Sequence, residues 1–276
     1  MDTSSSHRNP PVAMTIAGSD SGGGAGVQAD LKTFAAHHVY GTSVITAVTA
    51  QNTLGVQGYR VVDVDLVSTQ IKSILEDFWI RGAKTGMLAT TETVQMVSEF
   101  AKDKILPRLV VDPVMVAASG DSLITSDAIE AYINDLFPYA YLITPNAPEA
   151  SKLVGVRIEG AQDLVTAAIE LKKMGPQNVL VKGGHLEDEK ESIDVLYDGE
   201  QIFTFRATRI ESKNTHGTGC TLSAAISANL ARGTTLTDAV REAKAYVTSA
   251  IVGSKEWALG HGYGPLDHFN SVVHHY

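Results

Sequence analysis

Short runs of β-branched and aliphatic residues, VAMTIAGS, SVITAVTAQ, IRGAKTGM, RLVVDPVMV, AYLITPN and NVLVKGGH, recur at intervals that leave room for a helix between them. That rhythm is the strongest constraint on what this chain folds into. The runs are apolar on consecutive residues, as in strands covered on both faces, so the sheet they build is parallel with helices above and below it. Segments of helical period fill the gaps at 27–37, 66–77, 91–102, 126–137, 147–153 and 164–174. The expected fold is therefore α/β, a three-layer α/β/α arrangement around a mostly parallel central sheet. Beyond residue 185 the texture changes: IDVLYDGEQIFTFRAT sets Asp198-Gly199 between two strand-like runs, a hairpin signal. Helical period then returns at 221–232 and 236–254.

Composition narrows the classes further. A chain of 276 residues, 44% hydrophobic, can bury one large core, and no linker or internal repeat divides it, so a single domain over 12–276 is expected. Residues 1–11, MDTSSSHRNPP, lack the apolar centre of a secretory signal and read as a disordered lead-in. A net charge of -9 without any Lys/Arg run argues against a nucleic-acid partner. No stretch is long and apolar enough for a membrane helix. One cysteine excludes an internal disulfide and points to a reducing, cytoplasmic setting.

In open parallel sheets ligands bind beyond the carboxyl ends of the strands. The residues ending the runs are Gly18-Ser19-Asp20, Gln51-Asn52, Gly86-Met87, Asp112-Pro113, Pro145-Asn146 and Lys182-Gly183-Gly184. After the first run, Gly24-x-Gly26-x-x-Ala29 matches a dinucleotide fingerprint. The second strand, however, ends in Gln51 where a ribose-binding acid is required, so the match is incomplete. The loop reads better as a turn that lets a small ring lie against backbone, with Asp20 offering a carboxylate to a substrate hydroxyl or ring nitrogen. A second glycine turn, in KNTHGTGCTLSAAI, places the lone thiol, Cys220, where a helix begins. Consecutive N–H groups and the positive end of the helix dipole favour an anion there, and a thiol in that position is expected to have a lowered pKa.

The stretches AGSDSGGGAGVQADLKTF, SVITAVTAQNT, KTGMLA, VVDPVMVA, LITPNAPEA, VLVKGGH, NTHGTGCTLSAAI and GHGYGPLDHF run in order from Ala17 to Phe269. Together they resemble the hydroxymethylpyrimidine/phosphomethylpyrimidine kinases of thiamine biosynthesis, a family of the ribokinase-like superfamily. The resemblance implies ATP-dependent phosphorylation of 4-amino-5-hydroxymethyl-2-methylpyrimidine and then of its monophosphate, with ATP and Mg2+ as cofactors and a homodimer as the assembly. It implies Cys220 as the base, the amides of Gly217, Thr218, Gly219 and Cys220 as an anion hole, and Lys182 on the ATP phosphates. Asn146 and Glu149 resemble the superfamily's phosphate and magnesium element, and Asp112 is expected to assist the metal through water. The same resemblance assigns Gly18, Asp20, Gln51, Met87 and Val114 to the substrate pocket, with Met87 and Val114 as walls.

Gln51 carries an acceptor and a donor side by side, which complements a ring edge with an amino group beside a ring nitrogen; pyridoxal has a hydroxyl there. Two alternatives stay open: a pyridoxal or pyridoxine kinase of the same fold, and a pyrimidine-binding regulator without catalysis. The chain departs from the family at Ala118-Ser119-Gly120, where Lys-Ser-Gly is usual, which removes a basic residue from that loop. His37, His38, His268, His274 and His275 read as surface or tail residues, since no spacing resembles a closed metal site.

Overall fold

The apolar runs become strands of one continuous sheet. In the computed structural model, which describes residues 9–115, 126–184, 186 and 190–269, the strands are β1 (Val12–Ser19), β2 (Tyr40–Asn52), β3 (Gly55–Val61), β4 (Ile80–Thr85) and β5 (Val110–Val111), followed by β6 (Leu142–Ile143), β7 (Val179–Lys182), β8 (Glu191–Tyr197) and β9 (Ile202–Thr208). They lie in the order β3-β2-β1-β4-β5-β6-β7-β8-β9. Neighbours from β2 to β7 are parallel, and the edges are finished by antiparallel β3 on one side and β8 and β9 on the other. The β8–β9 turn is the one anticipated at Asp198-Gly199, with Gly199 at φ 103.

The helices are α1 (Gly26–Ala36), α2 (Val64–Asp77), α3 (Thr91–Lys102), α4 (Ser126–Ala131), α5 (Ala147–Val154), α6 (Ala161–Lys172), α7 (Thr218–Arg232) and α8 (Leu236–Ser254). α1, α7 and α8 cover one face of the sheet, and the others cover the opposite face. Successive strand residues serve both layers: Val110, Leu142 and Leu180 belong to the α7/α8 core, while Val111, Ile143 and Val181 belong to the core beneath α3 and α6. This two-sided burial is why the runs are apolar without alternation.

Several expectations shift. β3 was not anticipated, because GVQGYRV is an edge strand with little burial and two glycines. The helix expected over 126–137 stops at Ala131, continues as a π turn over Tyr132–Leu136 and tightens into a 3-10 turn over Phe137–Tyr139. Pro138 removes a backbone donor there and restricts the residue before it. α7 starts at Thr218, three residues before the expected 221, inside the glycine turn itself. Of the lead-in, residues 1–8 lie outside the described residues, and Pro11 is already tied to the sheet by Tyr40 N–H at 2.9 Å. The Ala118-Ser119-Gly120 departure, His274 and His275 also lie outside the described residues. Among the described residues no helix is long and apolar enough to cross a membrane.

Candidate active site

The carboxyl ends of β1, β2 and β4 to β7 open on one cavity of about 760 Å3, and every residue singled out as a candidate lines it. Strands spaced about 4.8 Å apart put the end of β2 roughly 24 Å from the end of β7. The cavity is therefore a trough across the sheet. Gln51, Gly18 and Met87 stand toward the β2 side, Lys182, Asn146 and Glu149 toward the β7 side, and the first turn of α7 lies between them.

Two glycine loops lock together at the centre. Gly217 adopts φ 84, and a Cβ there would sit 1.8 Å from Gly24 O, so only glycine lets the α7 turn touch the first loop. Asp20 holds that first loop: its Oδ1 accepts from Gly22 N–H at 2.8 Å, and its Oδ2 accepts from Gly24 N–H at 3.0 Å and Ala25 N–H at 2.8 Å. His216 Nε2 adds a fourth donor, 2.9 Å from Asp20 Oδ2. Burial acts to raise the Asp20 pKa, but the His216 hydrogen bond and the Ala25 and Gly22 N–H groups outweigh it, and the carboxyl stays below its ordinary value. Both carboxylate oxygens are thus engaged by the protein itself. Asp20 still lines the cavity, and besides the role expected of it toward substrate it organises the pocket wall.

Cys220 stands where two helix N-termini meet. As a first-turn residue of α7 it has an N–H without an intrahelical acceptor, and the N–H of Gly26, first residue of α1, bonds its sulfur. Of the four amides expected in the anion hole, that of Thr218 is taken by Thr215 O at 3.2 Å. Beneath the thiol, Lys84 and Asp30 form a fully buried ion pair, with Lys84 Nζ 2.8 Å from Asp30 Oδ2 and the Thr15 hydroxyl donating to the same oxygen at 2.6 Å. Burial pushes the thiol pKa up to about 11; the Lys84 charge opposes this, Asp30 and Asp112 reinforce it, and the Gly26 N–H lowers it again. The lowered pKa expected from the helix start is therefore corrected. The stabilising groups are present, but desolvation of the thiolate outweighs them.

On the β7 side, Lys182 Nζ is 2.9 Å from Asp112 Oδ1, and a Cβ on Gly219 would lie 3.3 Å from the same ammonium. The cation therefore lies directly under the α7 turn. Burial works against its charge, yet Asp112 and Glu149 raise its pKa, so it remains an ammonium. Asp112 bonds this lysine directly, and its Oδ2 accepts from Ser223 Oγ at 3.2 Å. Asn146 and Glu149 form a reciprocal capping box at the start of α5: Asn146 Oδ1 accepts from Glu149 N–H and Glu149 Oε2 from Asn146 N–H, each at 2.8 Å. Burial pushes the Glu149 carboxyl up to about 7, with Lys182 lowering it and Asp112 raising it.

Asp112 and Glu149 are thus two hard oxygen donors under mutual repulsion, balanced by one ammonium. That donor set fits a magnesium ion whose remaining ligands are phosphate and water. No group of three or more His, Cys, Asp or Glu side chains forms a protein-only cage among the described residues. A testable consequence follows for Glu149. A carboxyl whose folded pKa exceeds its unfolded value costs stability as pH rises from about 4.5 to about 7. Glu149→Gln, which mimics the protonated form, is expected to raise the melting temperature of the ligand-free protein at pH 8 and to change it little at pH 5. Thermal denaturation without divalent cation measures this; an equal effect at both pH values contradicts the assigned shift.

Sequence reasoning missed four groups. His216 stands inside the NTHGTGC stretch, and its neighbourhood was the available signal. Ser223, one turn beyond Cys220, and the Lys84–Asp30 pair gave none, because long-range partners have no sequence spacing. Two histidines read as surface residues are buried: His268, whose Nε2 is 3.0 Å from Thr221 Oγ1, and His37, whose ring stands edge-on to Tyr246. Burial lowers both pKa values, that of His268 to about 4.

Residues 20–267 match the family model of phosphomethylpyrimidine kinase. The chain is 49% identical over 271 residues to the chloroplastic thiamine biosynthetic bifunctional enzyme TH1 of Arabidopsis thaliana, covering 98% of itself but 52% of that protein, so it spans about half of that relative's length. It is 47% identical over 260 residues to the hydroxymethylpyrimidine/phosphomethylpyrimidine kinase of Rhizobium meliloti, covering 94% of itself and 97% of that enzyme. Among solved structures, the ADP complex of Bacillus subtilis pyridoxal kinase superposes with a TM-score of 0.87 at 36% identity, covering 96% of this chain and 99% of that one. The trough at the strand ends, the paired glycine loops and the matched 20–267 span lead to one assignment: this chain belongs to the phosphomethylpyrimidine kinase family, with the ribokinase-like α/β fold.

Proposed function

We propose that this protein is an ATP-dependent kinase that phosphorylates the hydroxymethyl group of 4-amino-5-hydroxymethyl-2-methylpyrimidine and then the resulting monophosphate, in thiamine biosynthesis. One observation carries the reading: the Cys220 thiol and the Lys182 ammonium meet at the first turn of α7 in a cavity whose other end is Gln51. The ring lies toward β2, between Met87 and Val114, with Gln51 at its amino edge. ATP lies toward β7 to β9, where Leu222, Val247 and Ile251 give an apolar wall. Its γ-phosphate comes to the free amides of the α7 turn above Lys182.

Phosphoryl transfer needs an in-line nucleophile, a place for the hydroxyl proton and positive charge on the phosphates. The hydroxymethyl oxygen attacks the γ-phosphorus as its bond to the β-bridging oxygen breaks, and ADP leaves. The hydroxyl proton goes to the Cys220 thiolate. Lys182 and the amides of Gly217, Gly219 and Cys220 hold the charge that spreads over the transferring oxygens. Asp112 and Glu149 are the residues that would hold Mg2+, which supplies further neutralisation of the phosphates when bound. A cytosolic, thiol-reducing setting suits a mechanism that depends on a free cysteine. A homodimer suits the exposed apolar Val48, Tyr59 and Val61 on the edge hairpin.

A pyridoxal kinase is the nearest alternative, given the Bacillus subtilis neighbour. Gln51 argues against it, because its paired donor and acceptor match an amino group beside a ring nitrogen better than a single ring hydroxyl. A regulator without catalysis has no use for Lys182, Asn146, Glu149 and Cys220 lining one cavity. Gln51→Met is expected to lower kcat/KM for the pyrimidine by at least about 30-fold, since two polar groups of the ring edge are stranded at roughly 1–3 kcal/mol each, and to leave the KM for ATP unchanged. Steady-state kinetics on pyrimidine and pyridoxal check it, and an unchanged ratio between the two substrates contradicts the placement of the ring.

A further inference from the structure

The ends of a carboxamide have the same shape, so the donors and acceptors around Gln51 decide which end is which. Thr49 Oγ1 is 2.8 Å from Ser19 O and 3.2 Å from Gln51 Oε1. A carbonyl oxygen only accepts, so the one hydroxyl proton of Thr49 belongs to Ser19. Toward Gln51 the hydroxyl then has only lone pairs, and it requires the amide NH2. At the other end, His216 Nε2 is 2.9 Å from Asp20 Oδ2 and 3.4 Å from Gln51 Nε2. The Asp20 carboxylate also only accepts, so His216 carries its proton on Nε2 and has no lone pair there for an NH2. Both contacts fail in that orientation; turning the amide over gives Thr49 its donor and sets the carbonyl 3.4 Å from the His216 Nε2–H, which it shares with Asp20 as the weaker arm of a bifurcated bond.

From this balance, which rests on the pyrimidine reading above, we propose that Thr49 and the Asp20–His216 pair are positioning residues: they clamp the Gln51 amide with its NH2 toward Thr49 and its carbonyl toward His216, and so fix the polarity of the ring edge that the pocket accepts. Each end of the amide is used once on its flank. One N–H goes to Thr49 and one carbonyl lone pair to His216. The remaining N–H and the remaining lone pair lie side by side on the amide's front edge, facing the cavity that Gln51 lines. That edge pairs with a ring nitrogen acceptor beside an exocyclic amino donor. An unclamped amide turns over at little cost and serves the reversed edge as well; a clamped one rejects it.

The test uses the aminopyrimidine and its 4-oxo analogue, whose ring N–H and carbonyl reverse the edge. Wild-type protein is expected to prefer the amino ring by at least about tenfold in kcat/KM, because the reversed edge leaves two polar groups unpaired. Thr49→Val removes the hydroxyl at nearly constant volume. It is expected to reduce that preference to within a few-fold, mainly through KM, with the KM for ATP unchanged, while Thr49→Ser retains it. Melting temperatures show whether each variant folds. Should Thr49→Val fail to fold, the wild-type preference between the two rings still decides. Equal use of both rings by the wild type overturns the proposal, and so does an unchanged preference in folded Thr49→Val. Failure of the functional reading shows separately, as no turnover of the aminopyrimidine by the wild type.

Discussion

Cys220→Ser is expected to fold and to bind both substrates as the wild type does, with kcat lower by about 10²–10⁴-fold, the usual worth of a general base. Serine nearly matches the thiol in size, so packing at the α7 start should change little. A hydroxyl ionises far too weakly to replace the thiolate, so the base is lost while Lys182 and the turn amides stay in place. Cys220→Asp is expected to recover part of the loss, because a carboxylate at two helix N-termini is ionised and stabilised by the same N–H groups. The raised thiol pKa, to about 11, sets the sign of the pH dependence. Only the thiolate accepts a proton, so wild-type kcat should climb with pH through the neutral and mildly alkaline range without a plateau below pH 9. Wild-type turnover in Cys220→Ser at saturating substrates would mean that the proton leaves by another route and that the thiol only packs the turn.

Lys182→Ala is expected to cost on the order of 10²–10³ in kcat, by analogy with the loss of one preorganised donor to a transition-state oxyanion. The effect belongs to the phosphate end. Calorimetric binding of the pyrimidine should be unchanged, while kcat falls and the KM for ATP rises. The variant also strips Asp112 of the ammonium at 2.9 Å, and a buried carboxylate without that counter-charge destabilises the fold. Lys182→Ala combined with Asp112→Asn separates the two effects: it should recover melting temperature but not activity. Normal ATP kinetics with lost pyrimidine binding in Lys182→Ala would reverse the orientation of the trough.

The layered sheet was legible because burial on two faces writes itself into the chain as unbroken apolar runs, and the grouping of the candidate residues was legible because a parallel sheet delivers its strand ends to one edge. Gly18, Gln51, Asp112, Asn146 and Lys182 line one cavity for that reason. What the sequence withheld was of two kinds. Edge strand β3 buries little, so its period is weak. The Lys84–Asp30 pair, the Asp20–His216 pair and the Ser223–Asp112 contact join residues 54, 196 and 111 positions apart, and no local pattern encodes such pairings. The thiol pKa falls in the second class. The helix start was readable, but the burial that outweighs it is a property of the assembled fold.

The most direct measurement follows the products by phosphorus NMR, with the protein, MgATP and either the aminopyrimidine alcohol or pyridoxal as sole acceptor. The account predicts a pyrimidine monophosphate that appears first and is converted to the diphosphate as ADP accumulates, with pyridoxal phosphorylated far more slowly. Pyridoxal phosphate formed as fast as the pyrimidine product, or ADP released with no phosphorylated pyrimidine, would contradict it.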